Sequence, residues 1–98
     1  MTTYIGLSVN DAPVKLDYFV QEFVHRVVNG ILLALRGTCE IETLQLSIDG
    51  DSVDINLNNA AVPANPFVSK IVKNTLFGMA STLKGVETIN RLKIEIKR

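Results

Sequence analysis

Few side chains of this chain are suited to catalysis or metal binding, and its single histidine is the first of them. His25 follows Glu22 by three residues, a spacing that places a carboxylate beside an imidazole on one helix face. A histidine oriented in this way can act as a general base or as a pH sensor. Such pairs are also common on solvated helix surfaces, and the helical pattern puts His25 opposite the core. The spacing therefore favours a surface histidine over a catalytic one.

The single cysteine, Cys39, is the second candidate. One Cys and one His do not supply the ligands of a structural zinc site, and one Cys does not close an intramolecular disulfide. A straight helix would separate Cys39 from His25 by roughly 16 to 20 Å along its axis, too far for a nucleophile and its base. We therefore expect no catalytic residue, no cofactor and no metal, and a reducing compartment.

Acidic residues gather at Asp49, Asp51 and Asp54, and oxygen-rich clusters of this kind attract calcium. Their spacing departs from the calcium-binding loop pattern, which needs further oxygen ligands and a closing glutamate at defined positions. Asp-Gly-Asp also suits the tip of a β-hairpin. The cluster is therefore predicted to form a turn and not a metal site.

Composition and charge bound the remaining function classes. The 98 residues are 47% hydrophobic and 20% charged, which predicts one globular domain over residues 1–98. Ten Lys and Arg balance ten Asp and Glu, so no net field attracts nucleic acid or an anionic membrane. No secretory signal is visible, and the most apolar stretch, Ile31 to Leu35, is far shorter than a membrane span. We expect a soluble, cytoplasmic protein with no nucleic-acid or membrane partner.

Hydrophobic periodicity predicts four strands and two helices. In chain order these are a strand from Thr3 to Asn10, a helix from the cap Asp11-Ala12-Pro13 to Arg36-Gly37, a hairpin of residues 44–48 and 53–57 around Asp49-Gly50, a helix from Asn65-Pro66 to about Lys84, and a strand from Thr88 to Lys97. The apolar phase of the first helix runs through Asn29-Gly30, where a kink is the alternative. The pattern shows no internal repeat at a solenoid period.

This order of elements predicts an α+β fold with two helices on one face of an antiparallel sheet. The arrangement β-α-β-β-α-β in 98 residues is typical of the ferredoxin-like fold, whose strand order is 4-1-3-2. That order rests on fold-level analogy, because spacing does not say which strands are neighbours. If the first segment is not a strand, the alternative is a three-stranded sheet under two helices, α-β-β-α-β.

Comparison with proteins of this topology argues against three functions. RNA-recognition modules stack bases on aromatic side chains of their central strands, and here those strands offer Tyr4 alone. Acylphosphatases resemble this chain in size and topology, but they need a glycine-rich loop ending in arginine where this sequence reads Asn10 to Lys15. Metal-carrying domains of similar shape use a CxxC pair, which this sequence lacks.

The sheet face away from the helices is predicted to be polar, with the last strand at one edge and small residues in the middle. The candidate binding residues on this face are Tyr4, Gly6, Ser8, Asp54, Asn56, Arg91 and Lys93. Glycine and serine on the first strand would let a second copy or a small polar ligand approach the backbone closely. The alternative is a face that is simply solvated, as one face of an antiparallel sheet commonly is.

Apolar residues outside the predicted core stripes indicate a partner. The stripes run through Leu16, Val20, Phe23, Val24, Val27, Ile31 and Ala34 of the first helix and through Val68, Ile71, Val72, Leu76, Met79 and Leu83 of the second. At their edge or outside them lie the candidate interface residues Leu32, Leu33, Phe77 and Gly78. A phenylalanine beside a mid-helix glycine favours packing against another body, and zero net charge removes a barrier to self-association. We expect a homo-oligomer, most commonly a symmetric dimer.

These features predict a self-associating interaction module or a ligand-sensing module whose ligand the sequence does not specify. One alternative is an enzyme or accessory subunit whose site forms between chains, from residues such as Asp54, Lys93, His25 or Tyr18. Another is a subunit of a heteromeric complex, in which the candidate interface residues dock on a different protein.

Overall fold

The structure, a computed structural model, describes residues 4–37, 41–83, 86 and 88–98. Its elements are β1 Tyr4–Val9, β2 Ala12–Pro13, α1 Tyr18–Arg36, β3 Thr43–Asp49, β4 Ser52–Leu57, β5 Ala60–Ala61, α2 Pro66–Ala80 and β6 Arg91–Lys97. Cys39 and the predicted Lys84-Gly85 stop lie outside the described residues. No helix within the described ranges has the length and apolar character that a membrane crossing needs.

The chain has an α+β fold in which two helices pack on a six-stranded antiparallel sheet. The first segment is a strand, so the three-stranded alternative does not apply. The strand order is β2-β1-β6-β3-β4-β5, and the predicted order 4-1-3-2 is wrong. The ferredoxin-like order would put the last strand at an edge, whereas β6 pairs with β1 on one side and with β3 on the other.

Rows of apolar side chains across the strands explain this pairing. In the middle row, Leu7, Ile94, Leu46 and Ile55 are register partners across β1, β6, β3 and β4. Each of them is at most 3% exposed, and all belong to one core shared with the helices. Every second residue of β6 is buried, so this strand gains most from a place in the middle of the sheet, where both neighbours extend its apolar rows.

The first helix begins later than predicted. Asn10 and Asp11 have φ angles of 52° and 67°, the left-handed values that a two-residue type I′ turn requires at both central positions. The turn folds Ala12–Pro13 back against β1 as β2, so Asp11 is not a helix cap. Asp17 caps α1 instead, and its carboxylate accepts a hydrogen bond of 2.8 Å from the Val20 N–H.

Two other helix boundaries follow the predicted signals. Gly37 ends α1 with a φ of 72°, and its N–H donates to the Leu33 carbonyl at 2.9 Å. The helix is continuous across Asn29-Gly30. Asn65 caps α2, whose first residue is Pro66.

The second helix ends at Ala80, whereas periodicity predicts a helix to about Lys84. The Thr82 N–H donates to the Met79 carbonyl at 3.2 Å, an i to i−3 bond that tightens the last turn. The Thr82 hydroxyl donates to the same carbonyl at 2.7 Å. Because the threonine satisfies this carbonyl locally, the α-helical pairing stops here.

The hairpin of β3 and β4 is confirmed, but its loop lies one residue later than the predicted Asp49-Gly50. Asp49 pairs with Ser52, so Gly50 and Asp51 form a two-residue loop, and Gly50 has a φ of 58°. A positive φ at the first central position alone is the pattern of a type II′ turn, which places glycine there. The turn is therefore not the type I′ turn that the dipeptide Asp49-Gly50 predicts.

An internal repeat, which the sequence pattern did not predict, relates the two halves of the chain. Residues 48 positions apart, such as Asn10 and Asn58, occupy equivalent places in the unit β1-β2-α1-β3 and the unit β4-β5-α2-β6. Twelve such pairs are identical: Asn10/Asn58, Ala12/Ala60, Val14/Val62, Phe19/Phe67, Val20/Val68, Val24/Val72, Gly30/Gly78, Leu35/Leu83, Gly37/Gly85, Ile41/Ile89, Leu44/Leu92 and Ile48/Ile96. Exchanging the halves reproduces the strand order in reverse, so a pseudo-two-fold axis passes between β3 and β6.

Equivalent hydrogen bonds join each half to the other. The Asn10 Oδ1 accepts a bond from the Arg91 N–H at 2.9 Å, and the Asn58 Oδ1 accepts one from the Thr43 N–H at 3.0 Å. Each asparagine lies in one half and contacts the start of the last strand of the other half. Strand pairing also joins the two halves, since β1 pairs with β6 and β4 pairs with β3. Most of the strand pairing that holds the sheet together is therefore made between the halves.

The pseudo-symmetry predicts that a circular permutant folds. Tyr4 pairs with Lys97 as Ser52 pairs with Asp49, so a Gly-Asp dipeptide joining Lys97 to Tyr4 should form a second two-residue hairpin loop. A chain joined in this way and opened between Gly50 and Asp51 should keep its free energy of unfolding within about 2 kcal/mol of the parent. Urea unfolding followed by circular dichroism measures this.

The matched control carries the same new linkage but is opened in the middle of α2, between Lys73 and Asn74. Cutting there removes helical hydrogen bonds over the core, so this permutant should lose most of its stability. Equal loss of structure in both permutants would contradict the equivalence of the two hairpin sites.

Candidate functional site

The polar sheet face lies opposite the helices, and its candidate residues are spread over several strands. In one row of register partners, Ser8, Lys93, Ser47 and Asp54 follow each other across β1, β6, β3 and β4. Lys93 and Asp54 are therefore two strands apart, about 10 Å. Because β6 is internal, its cations run down the middle of the face and not along an edge as predicted.

Ion pairs within the chain engage the cations of β6. Asp11 Oδ2 is 2.5 Å from Arg91 Nη2, and Asp11 Oδ1 is 3.8 Å from Lys93 Nζ. Lys97 Nζ lies 3.4 Å from Glu95 Oε1. These partners are about half exposed, so the pairs add little to stability, but they offset the positive charge of the strand. The face therefore presents mixed charge and no single-sign patch for an ionic ligand.

Gly6 does not provide the open approach to the backbone that the sequence suggests. A Cβ placed on Gly6 would lie 2.6 Å from the Tyr4 hydroxyl oxygen, so the Tyr4 side chain already covers the glycine. Beside it, a shallow cleft of about 320 Å³ follows β1 and reaches Pro13 and Gln21. Asn56 is exposed across the sheet, in the same row as Gly6. Tyr4, Gly6, Ser8 and Lys93 thus line one cleft together, whereas Asp54, Asn56 and Arg91 are not part of its lining.

The side chains considered for catalysis do not converge within one chain. His25 is half-buried in the helix layer, whereas Asp54 and Lys93 lie on the opposite face of the sheet. Glu22 forms its ion pair with Arg26, at 3.0 Å, and not with the histidine. In the part of the chain that the structure describes, no group of three or more His, Cys, Asp or Glu side chains is placed to hold a metal ion.

Asp51, at the tip of the hairpin, contacts the second helix. Lys73 Nζ lies 2.7 Å from Asp51 Oδ1, and this hydrogen bond, with the positive charge of the lysine, lowers the pKa of the Asp51 carboxyl. The same Nζ lies 5.6 Å from the centroid of the Phe77 ring. Lys73 therefore ties the hairpin tip to the flank of α2.

The four predicted interface residues occupy two different environments. Leu32 is 0% exposed in the core, so the prediction that it faces outward is wrong. Phe77 is half-buried and packs against the core. Leu33 is 54% exposed, and Gly78 is also exposed. Leu33 and Gly78 thus lie on the outer surface of the helix layer, whereas Leu32 and Phe77 pack inward.

Several exposed large apolar side chains lie on the outer side of the two helices. Four of them are Phe19 at 70% exposed, Phe23 at 47%, Phe67 at 71% and Ile71 at 51%. The Phe19 and Phe23 rings contact each other, with centroids 6.0 Å apart. Phe19 and Phe67 are equivalent in the repeat, as are Phe23 and Ile71. We call this set of four residues the aromatic face.

A groove between the helices borders the Phe19 and Phe23 end of the aromatic face. It has a volume of about 370 Å³, and it is lined by Phe19, Val20, Phe23 and Val27 of α1, by Thr75 and Met79 of α2, and by Thr82 and Leu83 just after α2. The start of α1 thus lies beside the end of α2, and the helices are antiparallel. Thr75 also borders a second shallow pocket, with Phe67 and Ile71. Thr75 therefore lies between the two ends of the aromatic face.

Sequence reasoning placed part of this face in the core. Phe23 and Ile71 were assigned to the buried stripes together with Val24 and Val72, but the helices are rotated so that only the two valines are buried. A 3.6-residue pattern with many apolar positions allows several rotations of about one residue. The sequence signal for the aromatic face is Phe19 and its equivalent in the other half, since each is a large apolar residue in the first turn of a helix.

Comparison with known proteins gives one partial similarity. The chain is 46% identical over 44 residues to a protein of Methanocaldococcus jannaschii named "Putative molybdopterin-guanine dinucleotide biosynthesis adapter protein". These residues make up 45% of this chain and 19% of the archaeal protein, so the chain spans about a fifth of its length. No protein-family model and no solved structure matches the chain.

The extent of this similarity is close to the repeat unit of the fold. The match covers 44 residues, and equivalent residues such as Asn10 and Asn58 are 48 positions apart. The similar segment in the archaeal protein is thus about as long as one β-β-α-β unit.

Proposed function

We propose that this chain is a protein-interaction module that docks through its aromatic face. The observation that carries the proposal is the exposure of three phenylalanines and an isoleucine on the outer side of the helices, where Phe19 and Phe23 also line a groove. Contiguous apolar patches of several hundred Å² on a folded chain are often binding sites. Covering such a patch contributes about 25 cal/mol for each Å² removed from water.

Two further observations support binding over catalysis. His25 lies in the helix layer, on the other side of the sheet from Asp54 and Lys93, so one chain does not assemble them into a reactive group. The partial similarity is to a protein named as an adapter, which is compatible with an accessory role. An accessory protein of this kind would act by holding a partner and would leave the chemistry to it.

Site-specific photo-cross-linking tests this function on the full chain. A benzoylphenylalanine placed at position 67 puts a reactive aromatic group where Phe67 is 71% exposed. The control carries it at position 4, where Tyr4 is 57% exposed on the opposite face of the sheet. After irradiation of cells that make the protein, we expect position 67 to give discrete covalent adducts with a polypeptide and position 4 to give few.

Mass spectrometry of the adducts then identifies the partner. Adducts with a second copy of the chain or with a different protein both support docking through the aromatic face. Equal yields from positions 67 and 4, or no adduct from position 67, would contradict it.

A further inference from the structure

Two helix glycines on the outer side of the helix layer have no explanation inside the chain. Gly30 and Gly78 are exposed, and among the described residues a Cβ built on either would meet no atom within 4 Å apart from the backbone of its own helix. Glycine destabilises a helix interior relative to alanine, and neither glycine has the left-handed φ that would require it. Their position indicates that a group from outside the chain approaches the helices closely.

The glycines lie on the same stripes as the aromatic face. Gly30 follows Phe23 by seven residues, and Gly78 follows Ile71 by seven, which is about two helical turns. Each helix therefore carries large side chains at its start and an exposed glycine in its second half, and in α1 the exposed Leu33 follows that glycine. Because the helices are antiparallel, each end of the layer has the large side chains at the start of one helix beside the glycine-containing half of the other helix.

A surface with this pattern is complementary to a second copy of itself. A two-fold axis that runs parallel to the helix layer stacks each helix antiparallel on a helix of the partner. This holds whether the axis runs along the helices or across them. The large side chains at the start of each helix then cover the glycine-containing half of the helix opposite it. The pseudo-two-fold axis of the chain repeats this contact at both ends of the layer.

The exposed area is of the size that a dimer needs. The aromatic face leaves about 450 Å² of apolar surface uncovered, taking about 200 Å² for a whole large apolar side chain. A standard interface covers about 800 Å² on each partner, of which somewhat more than half is non-polar. The apolar area of the face therefore matches the non-polar share of one side of such an interface.

Charge on the helix layer does not oppose self-stacking. Glu22 and Arg26 neutralise each other in an ion pair at 3.0 Å, Lys70 beside Phe67 and Ile71 adds one positive charge, and the whole chain has no net charge. A second copy therefore meets no strong field of like sign. A partner of high net charge would find no complementary field on this face.

We infer that the partner of the aromatic face is a second copy of this chain, stacked on it by a two-fold axis. In this dimer the large side chains at the start of each helix pack against the partner's helices, which approach closely at the partner's Gly30 and the partner's Gly78. The inference rests on the proposed docking function and adds the partner and the geometry. The dimer has four layers, sheet-helix-helix-sheet, with both polar sheet faces outward.

Sedimentation equilibrium of the full chain and two double variants tests the dimer. Phe19→Ser with Phe67→Ser removes large side chains at the helix starts, and we expect association at least about 100-fold weaker. Gly30→Gln with Gly78→Gln puts helix-forming side chains at the two glycine positions. We expect this variant to associate less and, measured below its association range, to melt at a higher temperature than the parent. Tyr4→Ser removes an exposed aromatic side chain from the other face and should leave association unchanged.

The glycine variant keeps the test decisive, because a more stable fold that associates less is not explained by unfolding. A parent chain that stays monomeric up to its solubility limit overturns the dimer. So does a glycine variant that dimerises as well as the parent. Photo-adducts with a different protein, together with a monomeric parent, would overturn this inference and leave the proposed docking function standing.

Discussion

Replacing Ile94 with alanine should lower the free energy of unfolding by about 4 kcal/mol. Ile94 is 1% exposed in the middle of β6, between Leu7 of β1 and Leu46 of β3. Removing three methyl or methylene carbons there leaves a cavity that three strands and the helix layer line. The strands do not collapse into it without losing their register, so the cost should lie towards the upper part of the usual range.

Ile5→Ala provides the matched control for this prediction. Ile5 lies on the same face of the sheet and pairs with Ile96, but it is half-buried on β1 near the side of the sheet. We expect its replacement to cost no more than about half as much, because less apolar area is lost and water reaches the site. Urea unfolding followed by circular dichroism measures both. Equal losses would contradict the placement of β6 inside the sheet.

Asn10→Ala should lower the free energy of unfolding by about 2 to 3 kcal/mol, the second largest effect that we expect. Its Oδ1 accepts hydrogen bonds from the Asn90 and Arg91 N–H groups at 2.8 and 2.9 Å, and its Nδ2 donates to the Thr88 carbonyl at 2.8 Å. Its φ of 52° also disfavours alanine. The substitution thus removes three bonds between the halves of the chain and introduces backbone strain.

Asn10→Gly separates these two causes. Glycine accepts the positive φ without strain, so it should lose only the part of the stability that the side-chain hydrogen bonds contribute. The expected order of stability is parent, then glycine variant, then alanine variant. If the glycine variant is as stable as the parent, the contact between Asn10 and the start of β6 contributes nothing to stability. The pairing of strands between the halves would then depend on the apolar rows alone.

Two of the four predicted interface residues lie on the outer surface of the helix layer. Surplus apolar residues on both helices predicted an outward-facing surface, and Leu33 and Gly78 do lie there. The aromatic members of that surface were missed, because the rotation of a helix about its axis depends on what the sheet offers beneath it. Ile71 and its neighbour Val72 are similar in apolar character, and only packing against the sheet decides which one is buried.

The repeat was also hidden from simple inspection. Many equivalent positions keep only their apolar or polar character, as Leu46 and Ile94 do, and identical pairs such as Asn10 and Asn58 are scattered. Both halves then look like ordinary strand and helix patterns. The Oδ1 atoms of Asn10 and Asn58 accept equivalent hydrogen bonds from the Arg91 and Thr43 N–H groups, and these bonds reveal that the two halves are related.

The sequence by itself determined the local elements of this protein: the hairpin around Gly50, the cap at Asn65, the stop at Gly37 and the α+β class. These depend on interactions within a few residues, such as a positive φ, a capping oxygen or an alternating strand. The neighbours of β6 and the surface of the helix layer were decided only by the tertiary structure. Every strand has the same alternation, so periodicity says which face is buried and not which strand lies alongside. That choice rests on contacts between residues far apart in the chain, such as Asn10 with Arg91.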